Sequence, residues 1–273
     1  MPRSSFHVFF VIAVLALPLQ ANTVLWLTGD EGTPGLPAAS PTDSGDYSLS
    51  AAGQNGVLYS ADVAGVGAAA SASERSFQLD GLDDVLVVAN NAVLNLSGDY
   101  TIEFFMKLVG DNTVDGLSQL VERRASGQEY TIVGDHSYDE FVTYLDGASG
   151  GGGFSSGADS LVGLNTWAHV ALVYDASNTS QEAKLYLDGG FLAGRNFSTG
   201  QGTGFTMTAD LLLGASALGS GRNLNGLLDE IRITDEALEP AEFLNVVPEP
   251  QAFSLLASGA MLFLGLGRRA RHR

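Results

Sequence analysis

Alternation of apolar and other residues over nine positions is the feature that most limits the folds open to this chain. Tyr100, Ile102, Phe104, Met106 and Leu108 occupy every second position of one segment. Successive side chains of a β-strand point to opposite faces of a sheet, so a period of two predicts a long strand with one buried face. The chain must therefore supply a second layer that covers this face.

The same alternation recurs along the chain, with turn signals between the segments. It is clearest in Trp167–Tyr174, Ala183–Leu187 and residues 227–234, and Asp188-Gly189 predicts a tight hairpin turn after the second of these. Shorter strands are predicted at residues 24–27, 77–79, 85–88, 120–122, 130–133, 141–145 and 211–213. A short helical turn is predicted at residues 240–244. Together these elements predict an all-β fold, a two-sheet antiparallel sandwich.

The N-terminus has the three parts of a secretory signal peptide. Arg3 supplies a positive charge, residues 8–19 form an apolar run, and residues 19–21 offer small or apolar side chains for cleavage. An uncleaved anchor is the alternative, but a run of twelve apolar residues is shorter than the roughly 20 that a spanning helix needs. Residues 1–21 are therefore predicted to be a signal peptide, and the mature chain is predicted to begin near Asn22.

The C-terminal segment, residues 246–273, contains a short motif, an uncharged stretch and a basic end in that order. Pro248-Glu249-Pro250 precedes the uncharged residues 251–267, and four arginines follow them. This order resembles the PEP-CTERM sorting signal of Gram-negative bacteria. The resemblance implies an exosortase-type transpeptidase as partner, transient membrane contact through residues 251–267, removal of the tail and delivery to the cell envelope or extracellular matrix. A plain C-terminal anchor is the alternative, and it also places the protein outside the cytoplasm.

Charge and cysteine content exclude several functional classes. The chain has 13 Lys and Arg against 31 Asp and Glu, a formal net charge of −18, and residues 22–245 alone carry 8 basic and 30 acidic residues, or −22. Nucleic acid is excluded as a partner, because binding its phosphates takes clustered Lys and Arg. The absence of cysteine excludes disulfides, thiolate metal ligands and cysteine nucleophiles.

Six segments between residues 22 and 245 occur in the order seen in one family of β-sandwich domains. They are Trp26 with Asp30-Glu31, then residues 77–81, 100–107, 167–171, 185–189 and 226–233. The set resembles LamG-like, concanavalin A-like jelly-roll domains. The resemblance implies that residues 22–245 form one jelly-roll domain, and it implies no particular ligand. The core of that domain is predicted to include Trp26, Ile102, Phe104, Leu185, Ile231 and Ile233.

No catalytic constellation stands out in the sequence of this domain. Glucanases of the resembled fold carry Glu-x-Asp-x-x-Glu on one strand, and that spacing does not occur here. A G-x-S-x-G run at residues 153–157 has no predicted strand before it and no helix after it, which disfavours a nucleophile elbow. His136 and His169 are interpreted as structural hydrogen-bonding residues. The sequence thus predicts a protein that is not an enzyme.

The predicted function is that of an exported binding or adhesion module of the cell envelope or extracellular matrix. Its expected ligand is a polysaccharide or matrix glycan, and Tyr138, Tyr144, Phe154 and Phe205 are candidates for the rim of the binding site. Core packing is the commoner role of aromatic residues in a β protein and is the alternative for each. A polysaccharide-degrading enzyme with an unfamiliar active site is the alternative function.

Asp229 motivates a prediction of a structural metal ion. It alternates in phase with Leu227, Ile231 and Ile233, which directs its carboxylate toward the buried face of the strand. A buried carboxylate without a partner is costly, and Ca²⁺ is bound by carboxylate, carbonyl and water oxygens.

Two further acidic residues follow the first predicted strand. Asp43 and Asp46 belong to an Asp-Ser-Gly-Asp loop that resembles a segment of LamG-like domains. First and last strands are often neighbours in a jelly roll, so the sequence predicts a calcium site formed by Asp43, Asp46 and Asp229, with Asp30 as a substitute. The alternative is that Asp229 accepts hydrogen bonds from backbone N–H groups and binds no metal.

Overall fold

The described part of the chain folds into two antiparallel β-sheets packed face to face. The computed structural model describes residues 21–65, 74–111, 116–198, 200–218 and 221–246. Its strands are β1 (Thr23–Leu27), β2 (Ala51–Gln54), β3 (Leu58–Ser60), β4 (Ser76–Asp80), β5 (Val85–Val88), β6 (Tyr100–Leu108), β7 (Leu117–Ala125), β8 (Gln128–Asp135), β9 (Glu140–Gly147), β10 (Gly150–Ser155), β11 (Trp167–Tyr174), β12 (Ala183–Leu187), β13 (Gly190–Arg195), β14 (Leu211–Leu213) and β15 (Asn225–Thr234). Helix within these residues is limited to the 3₁₀ turns Ala92–Leu94 and Pro240–Glu242. The predicted two-sheet jelly-roll sandwich is confirmed.

The two sheets differ in how sequence neighbours are arranged. The eight-stranded sheet has the order β13-β12-β11-β6-β15-β4-β3, with β1 also paired to β15. Strand β6 pairs with one edge of β15, while β4 and β1 share the other edge and pair with its first and second halves. The seven-stranded sheet has the order β10-β9-β8-β7-β14-β5-β2. Strands β7 to β10 therefore form a meander that brings β9 and β10 to the edge of this sheet.

The core lies between the sheets and contains most of the residues that alternation assigned to it. Ile102, Phe104, Leu185, Ile231 and Ile233 are each no more than 1% exposed. Trp26 lies between the buried Leu25 and Leu27 and therefore points to the opposite face of β1, away from this core. There it is half-buried and packs with Phe105 and Trp167 outside the eight-stranded sheet.

The predicted hairpin at Asp188-Gly189 connects β12 and β13. Asp188 has φ 49° and Gly189 has φ 79°, so both residues are in the left-handed region. Two such residues in a two-residue loop match the twist of the flanking strands, which is why glycine is favoured in this turn. The hairpin prediction is confirmed.

A β-bulge in β15 changes the orientation of Asp229. The register of β15 against β6 shifts between Asp229 and Arg232, and Glu230 within the bulge has φ 49°. The extra residue reverses the alternation, so that Leu228 and Ile231 both face the core. Asp229 instead lies opposite Phe105 on the outer face of the sheet, and the prediction that it points into the core in phase with Ile231 was wrong.

Strand β10 lies in a segment that the sequence indicated to be a loop. Its first four residues are glycines, which have low strand propensity and no side chain to alternate. It pairs along its whole length with β9. The edge strand of the seven-stranded sheet thus has almost no side chains.

The two predicted processing segments lie largely outside the described residues. These residues include only residue 21 of the predicted signal peptide and only residue 246 of the predicted tail. In the part of the chain that is described, no helix has the length and apolarity to cross a bilayer.

Candidate functional site

The edge of the seven-stranded sheet carries a groove of about 410 Å³, called here the aromatic groove. Its lining residues come from the end of β8, the turn at residues 136–139, β9 and β10. They are Asp135, Tyr138, Glu140, Val142, Tyr144, Gly153, Phe154 and Ser155. One hairpin and its edge strand therefore form the whole surface.

Tyr144 lies against the glycine strand. It stands directly opposite Gly153 in the β9–β10 register and is 41% exposed. A Cβ at Gly153 would lie 2.6 Å from two carbon atoms of the Tyr144 ring, so the ring takes the space that a side chain there would fill. Tyr138, in the turn before β9, is 66% exposed. The groove thus presents two tyrosine rings to solvent, and one of them rests on backbone.

Two carboxylates lie at the turn end of the groove. Asp135 and Glu140 are directly opposite each other in the β8–β9 register. One oxygen of Asp135 accepts a hydrogen bond of 2.8 Å from the backbone N–H of Ser137. Glu140 is half-buried and makes no side-chain hydrogen bond or salt bridge with the described residues. Aromatic faces beside hydrogen-bond acceptors suit a ligand that has flat apolar faces and polar edges.

Three of the four aromatic residues predicted for a binding rim line this groove. They are Tyr138, Tyr144 and Phe154, although the Phe154 ring also packs partly against the core. Phe205 is only 3% exposed and packs with Tyr130 and Tyr100 inside the sandwich. Phe205 therefore has the alternative role stated in the sequence analysis, which was packing in the core.

The sequence reasoning missed Asp135, Glu140 and Gly153. The first two became a pair only through the register of the β8–β9 hairpin. At the turn, β8 was predicted two residues short and β9 one residue short. Extending both strands to the turn would have placed these acidic residues opposite each other. Gly153 carried no signal of its own, since its role depends on which residue of β9 it faces.

A second groove of about 430 Å³ lies at the other end of the same sheet. Its lining includes Val85 and Val87 of β5, Leu212 of β14 and the carboxyl groups of Asp83 and Asp210. Among the described residues, its lining contains no aromatic ring. It lacks the stacking surface of the aromatic groove and is the weaker candidate.

One serine, one histidine and one aspartate come together in the order of a catalytic triad. The Ser118 hydroxyl is 2.9 Å from Nε2 of His136, and Nδ1 of His136 is 3.4 Å from a carboxylate oxygen of Asp111. Ser118, however, is 0% exposed. A nucleophile must reach the substrate atom that it attacks, and Ser118 is buried. These three side chains therefore form a structural hydrogen-bonded contact beside the turn.

A second titratable cluster lies under the C-terminal part of the domain. Nε2 of His169 is 2.8 Å from Glu103, which also accepts hydrogen bonds from Arg232 and from the backbone N–H of Leu244. Burial alone would raise the pKa of Glu103, but the hydrogen bond from His169 and the charge of Arg232 hold that pKa below its ordinary value. Glu103 and His169 are at most 1% exposed, so they stabilise the packing and are closed to a substrate.

The structure separates Asp229 from the two residues with which a calcium site was predicted. The Asp43 carboxylate accepts three backbone hydrogen bonds, and Asp46 accepts one from Thr23. The donors to Asp43 are the N–H groups of Trp26, Gly45 and Leu49. Asp43 pairs with Leu27 on one side of β1 and β15 lies on the other side, so about 10 Å of sheet intervenes. Asp229 accepts a hydrogen bond from the N–H of Ala64.

Calcium at Asp43, Asp46 and Asp229 stays a prediction. Within the described ranges, the acidic residues whose carboxylate oxygens lie within 4.8 Å of one another in a group of three are Asp80, Asp83 and Asp84. These lie in the β4–β5 turn, where backbone N–H groups of the same turn donate to them.

Comparison with known proteins identifies the fold. A family model described as the concanavalin A-like lectin/glucanases superfamily matches residues 79–243. Among the curated proteins, no sequence matches the chain significantly.

Three solved structures illustrate the likeness. The binding domain of Paraclostridial Mosquitocidal Protein 1 has 18% sequence identity and a TM-score of 0.60 over 81% of this chain and 50% of that one. Domain 4 of AbnA, a GH43 extracellular arabinanase from Geobacillus stearothermophilus, was solved with arabinotriose; it has 16% identity and a TM-score of 0.59 over 82% of this chain and 97% of that one. The third is a structure of botulinum neurotoxin type C, a toxin whose cell entry depends on two ganglioside molecules. It has 14% identity and a TM-score of 0.58 over 82% of this chain and 50% of that one. This chain spans about half of each toxin chain, and identities this low show the shared fold alone.

Proposed function

Because the chain belongs to the concanavalin A-like lectin/glucanases superfamily, whose fold carries more than one activity, we propose its function from the aromatic groove: it is a non-catalytic module that binds a polysaccharide. The observation that carries the proposal is the exposed Tyr144 ring resting on Gly153, with Tyr138 and two carboxylates beside it. A tyrosine face packs against the apolar C–H face of one sugar, and carboxylates further along the groove accept hydrogen bonds from hydroxyl groups of another sugar in the same chain.

The similar structures support a glycan as the ligand class. The arabinanase domain was solved with arabinotriose, and the type C neurotoxin depends on gangliosides. Both arabinotriose and gangliosides contain sugars. The proposal for this chain nevertheless depends on its own groove, since identities of 16% and 14% show the fold alone.

A polysaccharide-degrading enzyme is the second candidate, because the groove contains two neighbouring carboxyl groups. Asp135 and Glu140 stand side by side on adjacent strands and project from the same face of one sheet. Glycosidases place two carboxyl groups across the scissile bond, so that one acts on the leaving oxygen and the other on the opposite face of the sugar. Release of reducing sugar from a polysaccharide that the protein binds would favour the enzyme.

Replacing Tyr144 with alanine tests the proposed site. We expect Y144A to raise the Kd for a bound polysaccharide about tenfold, equivalent to about 1.4 kcal/mol, because truncating a central aromatic contact typically costs more than 1 kcal/mol. Affinity electrophoresis in gels that contain each polysaccharide of a panel measures this directly. The matched control is F191A, which removes an aromatic ring that is 53% exposed on β13 of the other sheet. Equal retardation of Y144A and the unmodified protein would place the glycan site elsewhere.

Export and sorting are a separate part of the proposal and rest on the sequence of the two ends. We expect the mature protein to begin near Asn22 and to lack the residues after about Pro250, because a signal peptidase and an exosortase-type transpeptidase remove the two segments. Mass spectrometry of the protein recovered from the cell envelope or matrix measures both ends. Replacing Pro248-Glu249-Pro250 by alanines should leave the tail attached. An intact Arg273 on the mature protein would instead favour a plain membrane anchor.

A further inference from the structure

We propose that the glycan bound in the aromatic groove carries protonated amino groups, as a polymer of glucosamine does; this inference rests on the proposed function. It concerns the turn end of the groove, where Asp135 and Glu140 face each other across the β8–β9 hairpin. Directly opposite residues of an antiparallel pair have their Cβ atoms about 4.5–5.5 Å apart, and like charges at that spacing are destabilising. A cation between the two carboxylates removes the repulsion.

The protein itself supplies no such cation to the groove. Among the described residues that line it, none is Lys, Arg or His. The nearby Arg195 donates to the Gly153 carbonyl, but its guanidinium lies against Gly152, which alternates to the core side of β10. His136, in the turn itself, is directed toward Ser118 and Asp111. A positive charge between the two carboxylates would therefore come from solution or from the ligand.

The same hairpin contains a second acidic pair that serves as an internal comparison. Glu129 and Asp146 are also directly opposite each other in the β8–β9 register, at the other end of the strands. There the chain provides Arg124, which forms a salt bridge with Glu129. The charge of Glu129 is thus paired within the chain, although Asp146 lies only two residues from Tyr144 on the same face, whereas the Asp135–Glu140 pair has no such cation among the described residues.

The spacing along β9 indicates an oligomeric ligand. Tyr144 and Glu140 lie four residues apart on the same face of the strand, a distance of about 13 Å. This is longer than one monosaccharide ring, so a sugar that stacks on Tyr144 cannot itself reach the acidic pair. A chain of several residues with an amino group on each can occupy both places. N-acetylation would replace the ammonium group by a neutral amide and remove the attraction.

The test compares two oligosaccharides that differ only in this group. Binding of the full chain to a glucosamine hexamer and to its fully N-acetylated counterpart is measured by calorimetry at mildly acidic pH, with oligogalacturonate as an anionic probe. We expect the amino form to bind at least tenfold more tightly at low salt, the difference to shrink as salt screens the charges, and oligogalacturonate to show no binding. The variant E140Q should reduce the preference for the amino form several-fold, and Y144A should weaken binding of both forms.

A control variant separates the groove from the overall negative charge. Glu236, which follows β15 near the eight-stranded sheet, is changed in E236Q, so that the net charge changes as in E140Q. An equal loss of preference in both variants would overturn the inference, as would tighter binding of the N-acetylated or anionic sugar. In those cases a glycan is still bound and the proposed function stands. Absence of binding to all three probes and to the polysaccharide panel would overturn both.

Discussion

Replacing Arg123 with leucine is expected to lower the free energy of unfolding by about 4 kcal/mol. Arg123 lies in β7, is 0% exposed and directs its guanidinium into the sandwich. It donates five hydrogen bonds. The acceptors are the carbonyl oxygens of Leu94, Met207 and Ala209 and the side-chain oxygens of Asn90 and Asn95. A leucine leaves these acceptors without their donor, and breaking a buried network of this kind typically costs 3–5 kcal/mol.

The arginine connects two loops that are distant in sequence. One contains the 3₁₀ turn Ala92–Leu94 and the other leads into β14. Both loops therefore depend on one side chain for their position under the sheet. Because a planar guanidinium can serve five acceptors in a fixed geometry, lysine at the same position should recover only part of the lost stability.

Urea unfolding of three variants measures this effect. R123L should lower the midpoint strongly with an unchanged m-value, and R123K should fall between R123L and the unmodified protein. The control is R124L at the next residue, which removes an outward-facing arginine from its salt bridge with Glu129 and should cost about 1 kcal/mol or less. If R123L fails to fold, R123K still gives a measurable midpoint. Equal midpoints for R123L and R124L would contradict the prediction.

Alternation predicted the strands well wherever both partners were regular. The bounds of β6 and β11 agree with the predicted segments, because a nine- or eight-residue apolar period leaves little freedom in where a strand starts or ends. The Asp188-Gly189 turn was equally specific, since few residue pairs accept the left-handed conformation at both positions. Local sequence determines these features.

Features that depend on register between strands escaped prediction. Nothing in the sequence marks the bulge at Glu230, because the residue in the left-handed conformation there is not a glycine. The orientation of Asp229 was therefore predicted wrongly, although its carboxylate is buried, as predicted, on the other face of the sheet. The five partners of Arg123 lie between 28 and 86 residues away, so only the assembled loops define them.

The candidate site was predictable in part for the same reason. Tyr138 and Tyr144 were named as candidates for the rim because of their aromatic side chains, and both line the groove. Their exposure depends on β10, a strand of glycines that provides no periodic signal. The pairing of Asp135 with Glu140 follows from the hairpin register alone. The residue types indicated which side chains could bind a sugar, and the pairing of the strands placed those side chains on one surface.

The bulge in β15 also contains a buried carboxyl group, that of Glu230, and its protonation should affect stability. Glu230 is 1% exposed and accepts a hydrogen bond of 2.6 Å from the Trp26 indole N–H. Burial, and next the charges of Asp229 and Asp30, raise the pKa of Glu230 to about 7, against the opposing effects of Trp26 and Arg232. At pH values above about 7 the folded protein must therefore hold a buried charge that the unfolded chain exposes to water.

We expect E230Q to be more stable than the unmodified protein at pH 8 and similar to it near pH 4. Between the ordinary glutamate pKa, about 4.3, and the raised pKa of about 7, the folded state binds a proton that the unfolded state releases, so stability falls as pH rises through this window. A shift of this size corresponds to at most about 4 kcal/mol, and solvent screening reduces it. Glutamine keeps an oxygen that accepts the Trp26 indole N–H and carries no charge.

Thermal unfolding of the two proteins from about pH 4 to pH 8 measures the difference. The Tm of E230Q should exceed that of the unmodified protein by several degrees at pH 8, and the gap should close as pH falls toward the lower end of the window. The control E236Q removes a glutamate from outside the bulge and should follow the unmodified protein at every pH. Since the substitution leaves the backbone and the Trp26 contact in place, the pH dependence isolates the charge. Parallel Tm curves for E230Q and the unmodified protein would show that Glu230 titrates alike in the folded and unfolded chains.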